Sequence, residues 1–569
     1  MKNFISEDDI EQAILAKLQE PSFKYDILKC DPDPAKREDL NDGTGRTSKS
    51  QCVLPEVMRT AIFRLNPNID ADILNKIIRE LCQDHSAKDI ATANYELYRK
   101  IRNGIKVNVR RNGKADFDFV KLVDFRQPEN NTFTAVSQMW IMGNVYWRRP
   151  DVLVFINGMP MVFIELKNSI VKVKEAYNDN LTNYKKDIPN LFAFNQICVL
   201  SNGIETRLGA YCATYEYFFE WLKVESEKEK VDRNELKEVS KAENSSIKYF
   251  IDGLLNKSNL VDYIENFILF QNGGNKIIAK NHQYLGVNNL IEALKNRQDL
   301  QGKLGVFWHT QGSGKSFSMV MFVRKVRKTM EGNFTFLIIT DREDLDNQIV
   351  KNFIRTEVIG KNEECQPKNG KQLREYLTGN KPIIFTMIHK FKYDKGKKYP
   401  VLSERNDIIV IVDEAHRTQY KTLAENMHTG LPNANYVAFT GTPLLGSKRL
   451  TNQWFGNYVS EYNFAQSVED GSTVPLFYSK PVPEVCLQND FLDDDVVNII
   501  EEENLNDEEQ RLLENSSSRI LEVIKREDRL DKIAAHIAYH FPRRGFLGKG
   551  MVVSVDKYTA VRMYDKVQR

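Results

Sequence analysis

Residues 304–328 read LGVFWHTQGSGKSFSMVMFVRKVRK, and the fold is decided here. A short apolar strand runs into the glycine-bearing loop HTQGSGKS, His309–Ser316, and helix-compatible sequence follows, which is the context a phosphate-binding loop requires. Gly312 and Gly314 allow the backbone to curl until its N–H groups face phosphate oxygens, and the following helix adds its positive N-terminal end. Thr310, Gln311, Gly312, Ser313 and Gly314 are therefore candidate ATP contacts. Lys315 is expected on the β and γ phosphates, and the Ser316 hydroxyl on Mg²⁺. The first position of the usual GxxxxGK[ST] pattern is His309 rather than Gly, so a generic pattern would pass over this loop.

Downstream, apolar strands (FLIIT, IIFTM, IIVIVDEA, YVAFTGT) recur between helical stretches, the signature of βα units around a buried parallel sheet. The fold class is therefore α/β. The strand IIVIV ends in Asp413, Glu414, Ala415 and His416, with two acids at the carboxyl edge, where ligands of parallel sheets bind. Asp413 is expected to hold Mg²⁺ through water, and Glu414 to orient and activate an attacking water.

A second constellation lies upstream. Asp151 opens the strand PDVLVFI, Asn157 and Gly158 supply a turn, and MVFIELK ends in Glu165 and Lys167, giving the spacing D-x13-E-x-K. An Asn-Gly turn between apolar runs signals a hairpin that returns Glu165 to Asp151. A two-residue loop would pair Asp151 with Ile164. One more loop residue would pair it with Glu165 on a shared face, and this longer loop is predicted. The two carboxylates are then candidate metal ligands for Mg²⁺, with Lys167 orienting a water or stabilising phosphorane charge. Basic residues flank the hairpin: Arg148, Arg149, Lys172, Lys174, Lys185 and Lys186. They suit phosphate contacts without base reading, and equally a solvated helix face. Glu7 and Glu11 lie on an amphipathic opening helix over residues 6–20 and are further candidates to approach the metal.

At 569 residues the chain holds several domains. The expected division is a nuclease domain over 1–225, a charged linker over 226–250 that buries little, a first ATPase lobe over 251–470, and a connector with the start of a second lobe over 471–569. A last βα start is expected at GMVVSVDKYTAVRMYDKV, after an acidic insertion. Lys+Arg 80 against Asp+Glu 78 leaves a formal charge of +2, so any nucleic-acid surface is local. The seven scattered cysteines form no CxxC pair, which argues against a disulfide framework and fits a reducing cytoplasm. No apolar run reaches transmembrane length.

DEAH at 413–416 and TGTP at 440–443, together with the lysine loop, resemble a superfamily 2 helicase or translocase, whose fold is two RecA-like lobes clasping ATP. The wording WHTQGSGKS, IITDREDLDNQ and VEDGSTVPL is more specifically similar to the restriction (R) subunit of type I restriction-modification enzymes. The hairpin resembles the PD-(D/E)xK nuclease core. The resemblance implies an ATP-dependent endonuclease acting on double-stranded DNA with specificity (S) and methyltransferase (M) subunits. It implies that Gln283 reads adenine, that Thr386 in TMIHKF contacts the DNA backbone, and that His416, Thr440, Gly441 and Thr442 couple ATP state to movement on DNA. The family commonly carries Gln-x-x-x-Tyr after the nuclease lysine; here Asn180 replaces Gln and Tyr184 is kept, which puts the shorter amide's reach in question. The family's later lobe motifs fall beyond Arg569, so residues 1–569 alone are expected to bind ATP weakly and hydrolyse it poorly. The residues themselves also accommodate a helicase whose N-terminal domain only binds DNA, or an ATP- and DNA-binding module without turnover. Mg²⁺-dependent phosphodiester cleavage separates these readings.

Overall fold

The computed structural model of the chain describes residues 4–111, 114–239, 241–379, 381–391, 399–413, 420–442, 453–478, 524–545 and 548–569. They divide into two compact units, Met1–Val474 and Pro475–Arg569.

The first unit opens with helix α1 (Glu7–Gln19). Ser6 caps it through a reciprocal box with Asp9, and Ile10, Ile14, Leu15 and Leu18 form its buried face. Seven strands then make a mixed sheet in sequence order: β1 (Asp26–Lys29), β2 (Phe133–Ser137), β3 (Val152–Ile156), β4 (Met159–Leu166), β5 (Ile197–Ser201), β6 (Thr206–Gly209) and β7 (Phe219–Glu220). β1 and β2 pair in parallel, as do β4 and β5, and the other neighbours are antiparallel. Every residue of β3 and β4 is buried, as unbroken apolar runs demand of central strands covered on both faces.

The β3–β4 connection differs from the expected longer loop. It is a two-residue turn with Asn157 at φ 51° and Gly158 at φ 76°, the left-handed pair that matches strand twist. Asn157 tolerates this because its buried side chain accepts from Thr132 N–H and donates to Leu122 O and Asn131 Oδ1. The extra residue is instead Met161, bulged on β4: Phe155 faces Pro160, whereas Val154 faces Val162. The bulge has the register effect that was expected of the loop. Val152 lies opposite Ile164, so the next pair outward is Asp151 and Glu165.

The second sheet contains β8 (Lys303–His309), β9 (Thr335–Thr340), β10 (Ile383–Met387), β11 (Ile408–Asp413), β12 (Asn435–Thr440) and β13 (Tyr458–Tyr462), ordered β10-β9-β11-β12-β8-β13. All its pairings are parallel. Helices α2 (Asn281–Lys295) and α3 (Lys315–Thr329) pack on each other beside it. One apolar cluster runs from Ile10 and Val162 through Trp221, Phe250 and Tyr263 to Phe322 and Phe439, so the two sheets share a core.

Most described residues of 226–250 are exposed or half-buried, as their charge predicts, but the stretch is anchored to the fold. Leu236, Ser245, Ser246 and Ile247 are buried, and Glu227 is only 4% exposed. High charge content hides this because Glu227 finds specific partners in the motor sheet, described below.

In the second unit, helices Glu527–Arg543 and Lys557–Gln568 pack through Leu530, Ala534 and Met563. The helix of the expected final βα start is present, but its strand is not: Met551, Val552 and Val553 are exposed and irregular. No strand pairs with them among the described residues, and a lone strand has no ladder to hold it. Among the described residues no helix is long and apolar enough to cross a membrane.

Candidate active sites

The edge of the first sheet brings together the charged residues of the hairpin. Asp151 Oδ2 accepts the Leu166 backbone N–H at 2.7 Å, which ties the start of β3 to the end of β4. Glu165 is 2% exposed, and Lys167 Nζ lies 3.9 Å from its Oε1. Helix α1 completes the wall: Glu7 is 3.9 Å from Lys167, and buried Glu11 accepts from the Gln138 amide, which also reaches Asp151 Oδ1 at 3.3 Å. Gln138 adopts φ 56°, a left-handed backbone that no sequence pattern announces.

Asn180 does reach. Its amide donates to Glu165 Oε1 from inside a π-helical turn, Ala176–Leu181, a widened turn often found at functional sites. Tyr184 is 6% exposed; it packs edge-on against Phe163, and its hydroxyl donates to Arg149 O. It therefore supports the sheet from within. Of the flanking cations, Arg148 pairs with Asp187, Arg149 donates to Pro32 O, and Lys185 to Tyr211 O, while Lys172, Lys174 and Lys186 are exposed.

Burial dominates the electrostatics. It pushes Asp151 up to about 6, with the Leu166 N–H opposing and Glu7 reinforcing. Glu165 is driven well above the carboxylate range by burial and then by Asp151. Glu11 is raised by burial as well. Glu165 Oε2 is buried and finds no hydrogen-bond partner among the described residues. The pair thus presents hard oxygen donors that Lys167 and the surrounding N–H groups compensate only in part, which fits a divalent cation. No cluster of three or more His, Cys, Asp or Glu suited to a metal occurs among the described residues, so a cation held by this pair would complete its shell with amide, backbone or water oxygens, as Mg²⁺ does.

At the second sheet, β8, β12 and β11 are neighbours, and their carboxyl ends bring the motifs together: Trp308 faces Thr440, and Asp413 faces Phe439. The loop before α3 has Gly312 at φ 84° and Gly314 at φ 91°. Ser313 Oγ donates to Thr310 O, Gln311 and Gly312 are exposed, and Ser316 is half-buried at the helix start. Lys315 Nζ donates to His309 O at 3.1 Å. A Cβ on Gly441 would lie 3.0 Å from Lys315 Nζ, so the TGT segment abuts the loop, and Thr442 N–H is turned to the Thr440 hydroxyl. Gln283 is turned to the loop itself: its amide donates to Gly314 O and accepts from Lys280 N–H. Thr386 is 1% exposed on β10, its hydroxyl facing the interior. Glu414 and His416 lie outside the described residues, as do Ala415 and Pro443.

Behind the loop is a cluster that sequence reasoning missed. Ser460 on β13 donates to Glu227 Oε1, Glu461 N–H donates to Glu227 Oε2 at 2.9 Å, and His309 Nε2 meets Ser460 Oγ at 2.6 Å. Because the Ser460 proton goes to Glu227, His309 donates through Nε2, and its buried Nδ1 is left without a partner. Burial raises Glu227 to about 7, and burial followed by the Lys315 charge keeps His309 neutral. Gly286 on α2 gives this cluster room, since a Cβ there would fall 2.4 Å from Ser460 Oγ.

Residues 4–217 match the family described as type I restriction enzyme R protein N terminus, and residues 282–511 match SWI2/SNF2 ATPase. The chain is 33% identical over 596 residues to the type I restriction enzyme HindI endonuclease subunit of Haemophilus influenzae, covering 99% of this chain and 54% of that one. It is 32% identical over 581 residues to the MjaIXP endonuclease subunit of Methanocaldococcus jannaschii, covering 98% and 54%. The chain thus spans about half the length of these relatives. With a nuclease-like hairpin ahead of a parallel ATPase sheet, and with these similarities across nearly all its residues, the chain belongs to the family of type I restriction enzyme R subunits.

Proposed function

We propose that this chain supplies the motor and the nuclease of a type I restriction enzyme: an ATP-driven translocase on double-stranded DNA and a Mg²⁺-dependent endonuclease that cuts unmodified DNA away from its recognition sequence. Specificity and methyltransferase subunits are the proposed partners. The observation that carries the reading is the convergence of Asp151, Glu165 and Lys167 at one sheet edge, in a register set by the Met161 bulge.

Asp151 and Glu165 would hold Mg²⁺, and the ion when bound supplies Lewis-acid activation of the phosphodiester. Leu166 N–H and Gln138 orient Asp151, and Asn180 orients Glu165. Lys167, half-buried with its Nζ 3.9 Å from Glu165, is poised to orient the attacking water or neutralise charge on the phosphate as it grows. In the motor, the loop backbone, Lys315 and Ser316 would cradle the ATP phosphates, with Asp413 and Glu414 assigned to Mg²⁺ and water. Residues 1–225, 226–250, 251–470 and 471–569 remain the proposed division of these tasks.

The test uses the enzyme assembled with its partner subunits. Asp151→Asn should abolish cleavage and leave DNA-stimulated ATPase intact, whereas Lys315→Ala should abolish ATPase and translocation. Cleavage that survives Asp151→Asn removes the nuclease assignment.

A further inference from the structure

A cavity of about 410 Å³ lies where helix Ile90–Asn103 of the N-terminal region meets the last turns of α3 and the segment Thr356–Val358. Five cations line it, Arg99, Arg102, Arg324, Arg327 and Lys328, against one lining carboxylate, Glu357. The Tyr95 hydroxyl donates to that carboxylate, and the Tyr95 ring lies under the Arg99 guanidinium.

Such a concentration of like charge is costly unless something answers it. The C-terminus of α3 attracts cations, yet its carbonyls at Lys328 and Thr329 are taken by Arg126 from outside the cavity lining. The guanidinium groups are met mainly by neutral oxygens: Arg102 and Arg324 share the Glu265 carbonyl, Arg324 also donates to Ile268 O and the Tyr98 hydroxyl, and Arg327 donates to Val358 O, while Arg324 Nε is buried without a partner among the described residues. The Glu265 carboxylate approaches no nearer than 3.9 Å to Lys328. Burial, and then the neighbouring Arg324 charge, lower Arg102 to about 10, with the Glu265 charge opposing but not offsetting them. Arg99 and Arg327 stand exposed at the rim.

We infer that this cavity is a second anion site, distinct from the phosphate loop, built for a small polyphosphate-bearing ligand of nucleotide size. Planar guanidinium groups suit phosphate oxygens bidentately, the volume matches a compact ligand rather than a duplex, and the Tyr95 ring offers an aromatic surface beside the cations. An occupant would bridge helix Ile90–Asn103 to α3, the helix whose other end carries the phosphate loop, and so would fix the N-terminal region against the motor.

The test is made in the full chain carrying Lys315→Ala, which weakens the phosphate loop and leaves the cavity as the remaining site. Inorganic tripolyphosphate is titrated by calorimetry at constant ionic strength, with sulfate as a control and a 20-base-pair duplex as competitor. Saturable one-site binding is expected, and adding Arg99→Glu with Arg327→Glu should weaken it about tenfold or more. Where charge reversal disturbs folding, Arg99→Ala with Arg327→Ala should lower affinity in the same direction. The inference is overturned by absence of saturable binding, by equal binding of sulfate, by indifference to the rim substitutions, or by full displacement with duplex, which would make the patch a DNA-backbone contact.

Discussion

Replacing Glu227 by Gln puts the cluster behind the phosphate loop to a quantitative test. The carboxyl titrates near 7 in the fold, against an ordinary value of 4.5, because burial penalises its charge more than Ser460 and the Glu461 N–H compensate. Between pH 4.5 and 7 the folded chain therefore binds more protons at this site than the unfolded chain, and stability falls as pH rises through that window. Each pH unit separating the folded from the unfolded titration is worth about 1.36 kcal/mol, so the ionised group costs about 3 kcal/mol above pH 7. Gln keeps the shape: its oxygen can accept from Glu461 N–H, and its amide can donate to Ser460, which then turns its proton to His309. The measurement is the difference in unfolding free energy between parent and variant, in urea, at pH 5 and pH 8, so that all other titrating groups cancel. The variant should gain on its parent by about 2–3 kcal/mol between the two pH values. Parallel pH profiles would refute the claim that this carboxylate is ionised at a cost.

Gly158→Ala should destabilise the chain by about 2–3 kcal/mol in urea unfolding, since φ is 76° and the new Cβ would meet Leu54 O at 2.5 Å; a loss under about 0.5 kcal/mol would show that the turn can shift. Asp42, although burial opposes its charge, is held down to about 2 by Lys49, Thr44 and Arg46. Asp42→Asn should therefore cost about 1–2 kcal/mol at neutral pH, after allowance for solvent screening, with the deficit vanishing as acid takes the parent from pH 4 towards 2. A deficit that persists at pH 2 would point to packing instead. Asn180→Ala, which strips the amide from Glu165, should shift the Mg²⁺ dependence of cleavage in the assembled enzyme to about tenfold higher concentration, and an unchanged titration would count against an orienting role.

The parallel sheet was legible because βα periodicity and the Lys315 loop are local signals, each contained in a few adjacent residues. The hairpin was legible in outline, since Asn157-Gly158 declares its own turn, but the source of its register was not. A bulge at Met161 depends on how Pro160 and Val162 seat across the strand, and neither apolar residue advertises it. Gln138 was invisible for a related reason: its role comes from a left-handed backbone and from partners 13 and 127 positions away. At 226–250 composition describes only the average, and it hides the single buried carboxylate, Glu227, that defines the contact. Residue preference misled at Met551–Val553, because strand-forming residues still need a neighbouring strand.

The edge strand β13 has a temporal consequence. The phosphate loop at His309 is buttressed by Tyr462 O on Thr310 N–H and by Ser460 on His309, from about 150 residues later in the chain. At synthesis rates of about 5–20 residues per second, that interval is roughly 8–30 s, during which the loop has been made but its far wall has not. Throughout this delay the nascent chain carries the loop sequence without the strand that braces it, which makes the window before Tyr462 emerges the one in which assistance from a chaperone would count most.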